Sequence, residues 1–157
     1  IDDDTIDGIV LKMLLERNFK LTTIESCTGG LIADLLTNNP GASQVLKCGY
    51  VVYSNYSKCN MLGINKDSLT TYGEVSKWTA EEMVLKGLEK SKADLAISTT
   101  GFAGPGDEKE GLMYIRVTNG VTTRVKELHL DGSRKRIKKL AAKQALNELR
   151  LLVLSIN

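Results

Sequence analysis

Leu21-Thr22-Thr23-Ile24-Glu25-Ser26-Cys27-Thr28-Gly29-Gly30-Leu31-Ile32-Ala33-Asp34-Leu35-Leu36 decides the reading of this chain. Leu21 to Ile24 carries β-branched residues and reads as a strand. Gly29-Gly30 then admits a tight turn, and Leu31, Ile32, Leu35 and Leu36 form one apolar helix face that stops near Asn38-Asn39-Pro40-Gly41. Strand, glycine turn and helix recur outward from this unit. Before it, Ile6, Ile9, Val10, Met13 and Leu14 repeat at helical spacing behind Asp2-Asp3-Asp4, an acidic start that suits a helix N-terminus. After it, Val45 to Tyr53 reads as a strand, Ser54 to Leu62 as a short helix and Gly63 to Gly73 as a loop. A longer helix is predicted over Ser76 to Lys90, and Leu95 to Thr99 is a strand that ends in a glycine-rich turn. Leu112 to Thr118 and Val121 to Leu130 are strands joined at Asn119-Gly120, a hairpin signal. The last helix follows Asp131-Gly132, with Ile137, Leu140, Ala141, Ala145, Leu149 and Leu152 on one side. The pattern implies an α/β domain whose helices cover a mixed sheet.

Composition removes several classes of function. The 157 residues fit one domain, 1–157, with no internal repeat or linker. Hydrophobic residues at 42% and charged residues at 25% exclude an intrinsically disordered chain. With 21 Lys+Arg against 19 Asp+Glu, the net charge of +2 is too small for attraction of the whole molecule to nucleic acid. Aromatics at 5% argue against a base-stacking surface. No apolar run reaches the roughly 18 residues of a membrane helix, and no signal-peptide pattern opens the chain. The expectation is a soluble, cytoplasmic protein. Three cysteines, Cys27, Cys48 and Cys59, do not suggest a disulfide framework, and a single histidine without CxxC or HExxH argues against a zinc site.

Four segments can carry chemistry. Glu25-Ser26-Cys27-Thr28-Gly29-Gly30 sits between strand and helix, where N–H groups and the helix dipole favour an anion. Ser26 there is a nucleophile candidate, or Ser26 or Thr28 is simply the helix N-cap. Cys27 is either a second nucleophile candidate or a small core residue. In Tyr53-Ser54-Asn55-Tyr56-Ser57-Lys58, Lys58 follows a buried strand and becomes a base if burial lowers its pKa; otherwise it is a solvated lysine. A Ser-His-Asp triad would rest on His129, for which a structural role is the alternative. Thr99-Thr100-Gly101-Phe102-Ala103-Gly104-Pro105-Gly106 follows a strand, the place where open α/β sheets bind ligands, but it has neither the dinucleotide nor the Walker spacing. Gly132-Ser133-Arg134-Lys135-Arg136 puts three cations in the first turn of a helix, against its dipole. A bound anion would reverse that penalty, with Arg134 best placed as a clamp; a solvated basic face is the alternative.

In combination the segments are specific. Glu25-Ser26-Cys27-Thr28-Gly29-Gly30, Pro40-Gly41-Ala42-Ser43, Gly49-Tyr50-Val51-Val52-Tyr53-Ser54-Asn55 with Lys58, and Thr100-Gly101-Phe102-Ala103-Gly104-Pro105-Gly106 occur in that order. From about Leu11 to Leu149 the chain resembles the CinA C-terminal domain family, whose characterised members are nicotinamide-nucleotide amidases. The resemblance implies a three-layer α/β/α sandwich and hydrolysis of nicotinamide mononucleotide to nicotinic acid mononucleotide and ammonia, in pyridine nucleotide recycling. On matching positions it implies Ser26 as nucleophile and Lys58 as its base. Thr28, Gly29, Gly30, Tyr53, Thr100, Gly101, Ala103, Gly104 and Arg134 are the expected substrate-binding positions, with oxyanion donors near Thr28 to Gly30 or in the Gly101 to Gly104 turn. Where the family continues with more glycines and Lys-Pro-Val-Gly, this chain has Asp107-Glu108-Lys109-Glu110-Gly111, a shorter and more acidic loop that bears on substrate preference. No metal and no organic cofactor is expected. The expected partners are a small-molecule nucleotide and further copies of the chain in a homo-oligomer, with neither nucleic acid nor a membrane. The competing reading is a non-catalytic nucleotide-binding or regulatory module.

Overall fold

The computed structural model describes residues 5–104 and 109–156; Asp2-Asp3-Asp4 and Pro105 to Glu108 lie outside them. A helix α1 over Ile6–Arg17 is capped by Thr5, whose hydroxyl accepts from the Gly8 N–H at 3.2 Å. Strand β1, Leu21–Glu25, follows, then α2, Leu31–Thr37, a single 3₁₀ turn over Ala42–Gln44, and β2, Leu46–Val51. Next come α3, Asn55–Leu62, α4, Lys66–Tyr72, and α5, Lys77–Ser91. Strands β3, Leu95–Gly101, β4, Leu112–Thr118, and β5, Thr123–His129, precede α6, Arg134–Ser155.

The five strands form one sheet in the order β2-β1-β3-β4-β5. β1 is parallel to both β2 and β3, while β4 is antiparallel to β3 and to β5. The sheet is therefore mixed, as expected. Side chains alternate across it, so the strands feed two cores. Leu21, Leu95, Ile97, Ile115 and Val117 meet α1, α2 and α6 on one face. Ile24, Ala96 and Val52 meet α3, α4 and α5 on the other. This is a three-layer α/β/α sandwich. The central strands β1 and β3 are buried almost throughout, as parallel strands covered on both faces must be, and Glu25 is the one charged residue in them. Burying one Leu or Ile contributes about 1.5–3 kcal/mol, so truncating Leu149 in the larger core costs about 2–5 kcal/mol. Gly87 lets α5 lie against β1, since a Cβ there would sit 2.5 Å from Ile24 Cγ1.

Four local expectations change. The predicted loop from Gly63 to Gly73 contains α4: Asn65 caps it by accepting from the Ser68 N–H at 2.9 Å, and Leu69 is buried. One buried apolar residue in a seven-residue helix leaves no periodicity to read. β2 is not a buried strand but an edge strand whose residues alternate between half-buried and exposed. The second hairpin strand starts at Thr123, because Asn119 Oδ1 accepts from the N–H groups of Val121 and Thr122 and holds residues 119–122 as the turn. Neither Ser26 nor Thr28 caps α2. Its N-cap is Gly30, at φ 99°, and the carboxylate of Glu25 accepts from the N–H groups of Ile32 at 2.8 Å and Ala33 at 3.2 Å.

Among the described residues, no helix is long and apolar enough to cross a membrane.

Candidate active site

β1 lies between β2 and β3, and the connections that lead to those two strands, α2 and α3 to α5, cover opposite faces of the sheet, so a crevice opens at the C-terminal ends of β1 and β3. Ligands of open α/β sheets bind at such switch points. A cleft of about 550 Å³ opens there, lined by Ser26, Tyr53, Lys58, Thr100, Gly101, Ala103, Gly104 and Arg134 among others. These positions are separated by up to 108 residues in sequence, from Ser26 to Arg134, and the topology brings them together.

Ser26 is placed by backbone. Its N–H donates to Thr99 O at 3.0 Å, which ties the turn to the end of β3, and it is 6% exposed. Lys58 is placed by register. Val52 N–H donates to Glu25 O at 2.8 Å, so the chain after β2 runs beside Ser26. Ser54 then caps α3 by accepting from the Ser57 N–H, and one turn later Lys58 points back into the cleft. Its Nζ lies 3.0 Å from Ser26 Oγ and 3.3 Å from Tyr53 O, with the side chain 1% exposed. Burial pushes the lysine below its usual pKa, opposed chiefly by the charge of Glu74. An amine in that state accepts the hydroxyl proton of a serine; protonated, it donates to the same oxygen.

Beneath the turn is a second, buried network. Glu25, 1% exposed, accepts from Thr28 Oγ1 at 2.6 Å as well as from the two helix N–H groups, and Thr28 Oγ1 lies 2.8 Å from Thr99 Oγ1. This network frees the Ser26 hydroxyl from capping duty. It also fills the donors at the start of α2, so that helix end offers no place for a substrate anion. Thr28, Gly29 and Gly30 accordingly do not line the cleft: Thr28 is wholly buried, Gly29 faces the Lys138 side chain and Gly30 faces Val51. Sequence reasoning passed over Glu25. An acidic residue closing an otherwise buried strand just before a helix was the available signal.

Cys27 borders the cleft, but its sulfur lies 3.3 Å from Met113 Sδ in a small core with Ala103, Ile137 and Ala141. Burial pushes its thiol up to about 12, so it holds no thiolate near neutral pH. His129 is on β5, exposed, and its Nε2 lies 3.0 Å from Glu127 Oε2, away from the cleft residues. It is neither part of a triad with Ser26 nor a core residue.

Thr100 donates to Glu74 O at 2.6 Å, so its hydroxyl fixes a wall segment. Gly101 passes close to β4, where a Cβ would meet Met113 Sδ. Gly29 N–H donates to Ser26 O and Phe102 N–H to Leu112 O, which leaves Gly101, Ala103 and Gly104 as the expected oxyanion positions that border the cleft. Arg134, the first residue of α6, is not an unpaired cation: its Nη1 donates to Gly104 O at 2.6 Å and its Nη2 to Tyr53 Oη at 2.9 Å. Two partners out of five donors leave, among the described residues, guanidinium N–H groups for a ligand. Glu74, a wall residue with no signal in the sequence, adds a carboxylate. Among the described residues, no group of three or more His, Cys, Asp or Glu could hold a metal ion.

Known proteins resemble this chain along nearly its whole length. A competence-damage inducible protein of Caldicellulosiruptor saccharolyticus is 42% identical over 159 residues, which are 99% of this chain and 39% of that protein. One from Alkaliphilus oremlandii is 43% identical over 159 residues, 98% of this chain and 38% of that protein. The chain thus spans about two-fifths of the length of these curated relatives. Among solved structures, the competence/damage inducible protein CihA of Agrobacterium tumefaciens superimposes with a TM-score of 0.89 at 34% identity, covering 94% of this chain and 93% of that one. The competence damage-inducible protein A of Klebsiella pneumoniae gives 0.92 at 28% identity, covering 97% of each. The profile of the CinA C-terminal domain matches residues 3–153, the span that carries both cleft-forming turns, and the chain belongs to that family.

Proposed function

We propose that this chain is a cytoplasmic nicotinamide-nucleotide amidase that hydrolyses the carboxamide of nicotinamide mononucleotide. The observation that carries the reading is the buried Lys58 amine 3.0 Å from Ser26 Oγ. A non-catalytic binding module has no use for a buried, pKa-lowered base held against a serine. Carboxamides are poor electrophiles, and a covalent acyl intermediate splits their hydrolysis into two easier steps. Ser26 Oγ attacks the amide carbon while its proton passes to Lys58 Nζ. The C–N bond then breaks, and Lys58 returns the proton to the departing nitrogen, which leaves as ammonia. Water attacks the acyl-enzyme, Lys58 takes its proton, and that proton goes back to Ser26 Oγ as the acid is released. N–H groups of the Gly101 to Gly104 turn stabilise the oxyanion, and Arg134 holds the phosphate. The working unit is a homo-oligomer.

Incubating the purified chain with nicotinamide mononucleotide should release one ammonia per acid formed. Tight nucleotide binding with no ammonia would make the chain a non-catalytic nucleotide-binding module instead.

A further inference from the structure

Glu74 has no role in the reaction just proposed, yet it stands in the cleft wall. Its backbone is fixed: it lies between Gly73, which ends α4, and Ser76, which caps α5, and its carbonyl accepts from the buried Thr100 hydroxyl at 2.6 Å. Its carboxylate has no hydrogen-bond or ion-pair partner among the described residues, although its charge is felt at Lys58. The basic side chains of the described wall are Lys58, the neutral amine of that reaction, and the cation Arg134. A cleft with those two alone would hold no negative charge to meet a positively charged ring.

Resting on the amidase reading, we propose that Glu74 determines substrate specificity: its carboxylate favours carboxamides on a cationic ring, an N-ribosylated pyridinium, over the same carboxamide on a neutral ring. The argument is electrostatic. A pyridinium spreads one positive charge over the ring to which the reacting carboxamide is attached. That carboxamide must reach Ser26, so the ring lies within the cleft that Glu74 lines. A carboxylate on a rigid wall stabilises the ring charge without making a directional bond and discriminates by charge rather than by shape. Arg134 meets the opposite charge of the nucleotide, its phosphate, so the wall carries both signs for a substrate that carries both.

The test compares two ligands of the same outline: nicotinamide mononucleotide and its reduced form, whose dihydropyridine ring is neutral. Calorimetry on Ser26→Ala and on Ser26→Ala/Glu74→Gln reads binding without turnover. The Gln change should weaken the cationic nucleotide about three- to fivefold at low salt, an effect that shrinks as salt rises, and leave the neutral one unchanged. Glu74→Asp in the same background should retain most of the preference. Equal changes for both ligands, or no change for either, would overturn the proposal, as would failure of Ser26→Ala to bind the cationic nucleotide at all. The amidase reading fails separately, through an absence of ammonia from the wild-type chain, whatever the binding ratio shows.

Discussion

At the start of α2 the helix N–H groups are already met by a carboxylate of the chain itself, Glu25, whereas α6 starts with a cation, Arg134, that reaches into the cleft. Both helices begin at the edge of the site. The α2 start is sealed: Glu25 is buried, bonded to two N–H groups and a hydroxyl, and joined through Thr28 to Thr99. The α6 start is open: Ser133 caps it by accepting from the Arg136 N–H, and the Arg134 side chain spans from Gly104 to Tyr53 on the wall. The difference separates two tasks that the sequence places in similar-looking turns. The sealed end positions a serine. The open end presents a cation to the cleft.

The largest effect expected is at the sealed end. Ser26→Ala should lower kcat by at least ~10³-fold with an almost unchanged Tm, because Glu25, not Ser26, caps the helix. A large drop in Tm would mean that the hydroxyl is structural and would erase the distinction. Lys58 supplies a second measurement at the same end. Its folded pKa lies below the ordinary value of 10.5 because it is buried, so kcat should rise with pH to a midpoint below 10.5 as the amine loses its proton. Between the lowered folded pKa and 10.5 the unfolded chain binds more protons, so stability should rise with pH across that window. Lys58→Met should remove both the activity and this pH dependence of stability. A pH-independent kcat would sink the base role.

At the open end the effect is smaller and falls on binding. Arg134→Ala should raise KM for the nucleotide roughly 10- to 150-fold, the equivalent of a charge-assisted hydrogen bond of ~1.5–3 kcal/mol. KM for the dephosphorylated nucleoside should not move. Because Arg134 bonds Gly104 and Tyr53, the change should slightly lower Tm rather than raise it, which a helix-dipole argument alone would not give. An unchanged ratio of nucleotide to nucleoside would place the phosphate elsewhere.

Much of this was legible in the residues, and the reasons for the gaps are physical. Elements with a long apolar period or a β-branched run declared themselves, as α5, β3 and the β4–β5 hairpin do. Helix α4 did not, since its one buried residue, Leu69, makes no pattern. Arg134 is visible in the sequence as a cation placed against a dipole, but its bonds to Gly104 and Tyr53 depend on tertiary placement. The pairing of Ser26 with Lys58 came from the family resemblance. Local sequence has no means of supplying it, because it depends on the parallel register of β1 and β2 and on where α3 turns back. Glu25 was hidden for a related reason: which residue caps α2 follows from the left-handed Gly30, which pushes the helix start past Ser26 and Thr28.

The smallest effect should come from the cap itself, and it tests whether the sealed end is only a support. Glu25→Gln keeps the shape and one carbonyl oxygen but loses the charge, and it turns an amide NH₂ towards donors that need an acceptor. Glu25 accepts from Thr28, Ile32 and Ala33, and hydrogen bonds to a charged group contribute about 1.5–3 kcal/mol each, so Tm should fall measurably. Ser26 has an independent tether in its N–H bond to Thr99 O, and Lys58 is held by α3, so the reacting pair should stay nearly in place. On that ground kcat should fall only about three- to tenfold, with KM unchanged, since a misplacement of a full ångström is needed for ~10²-fold. Tm and kcat measured together decide the matter. A loss of kcat as large as that of Ser26→Ala, with Tm intact, would put Glu25 in the chemistry and break the contrast between a sealed end that positions and an open end that binds.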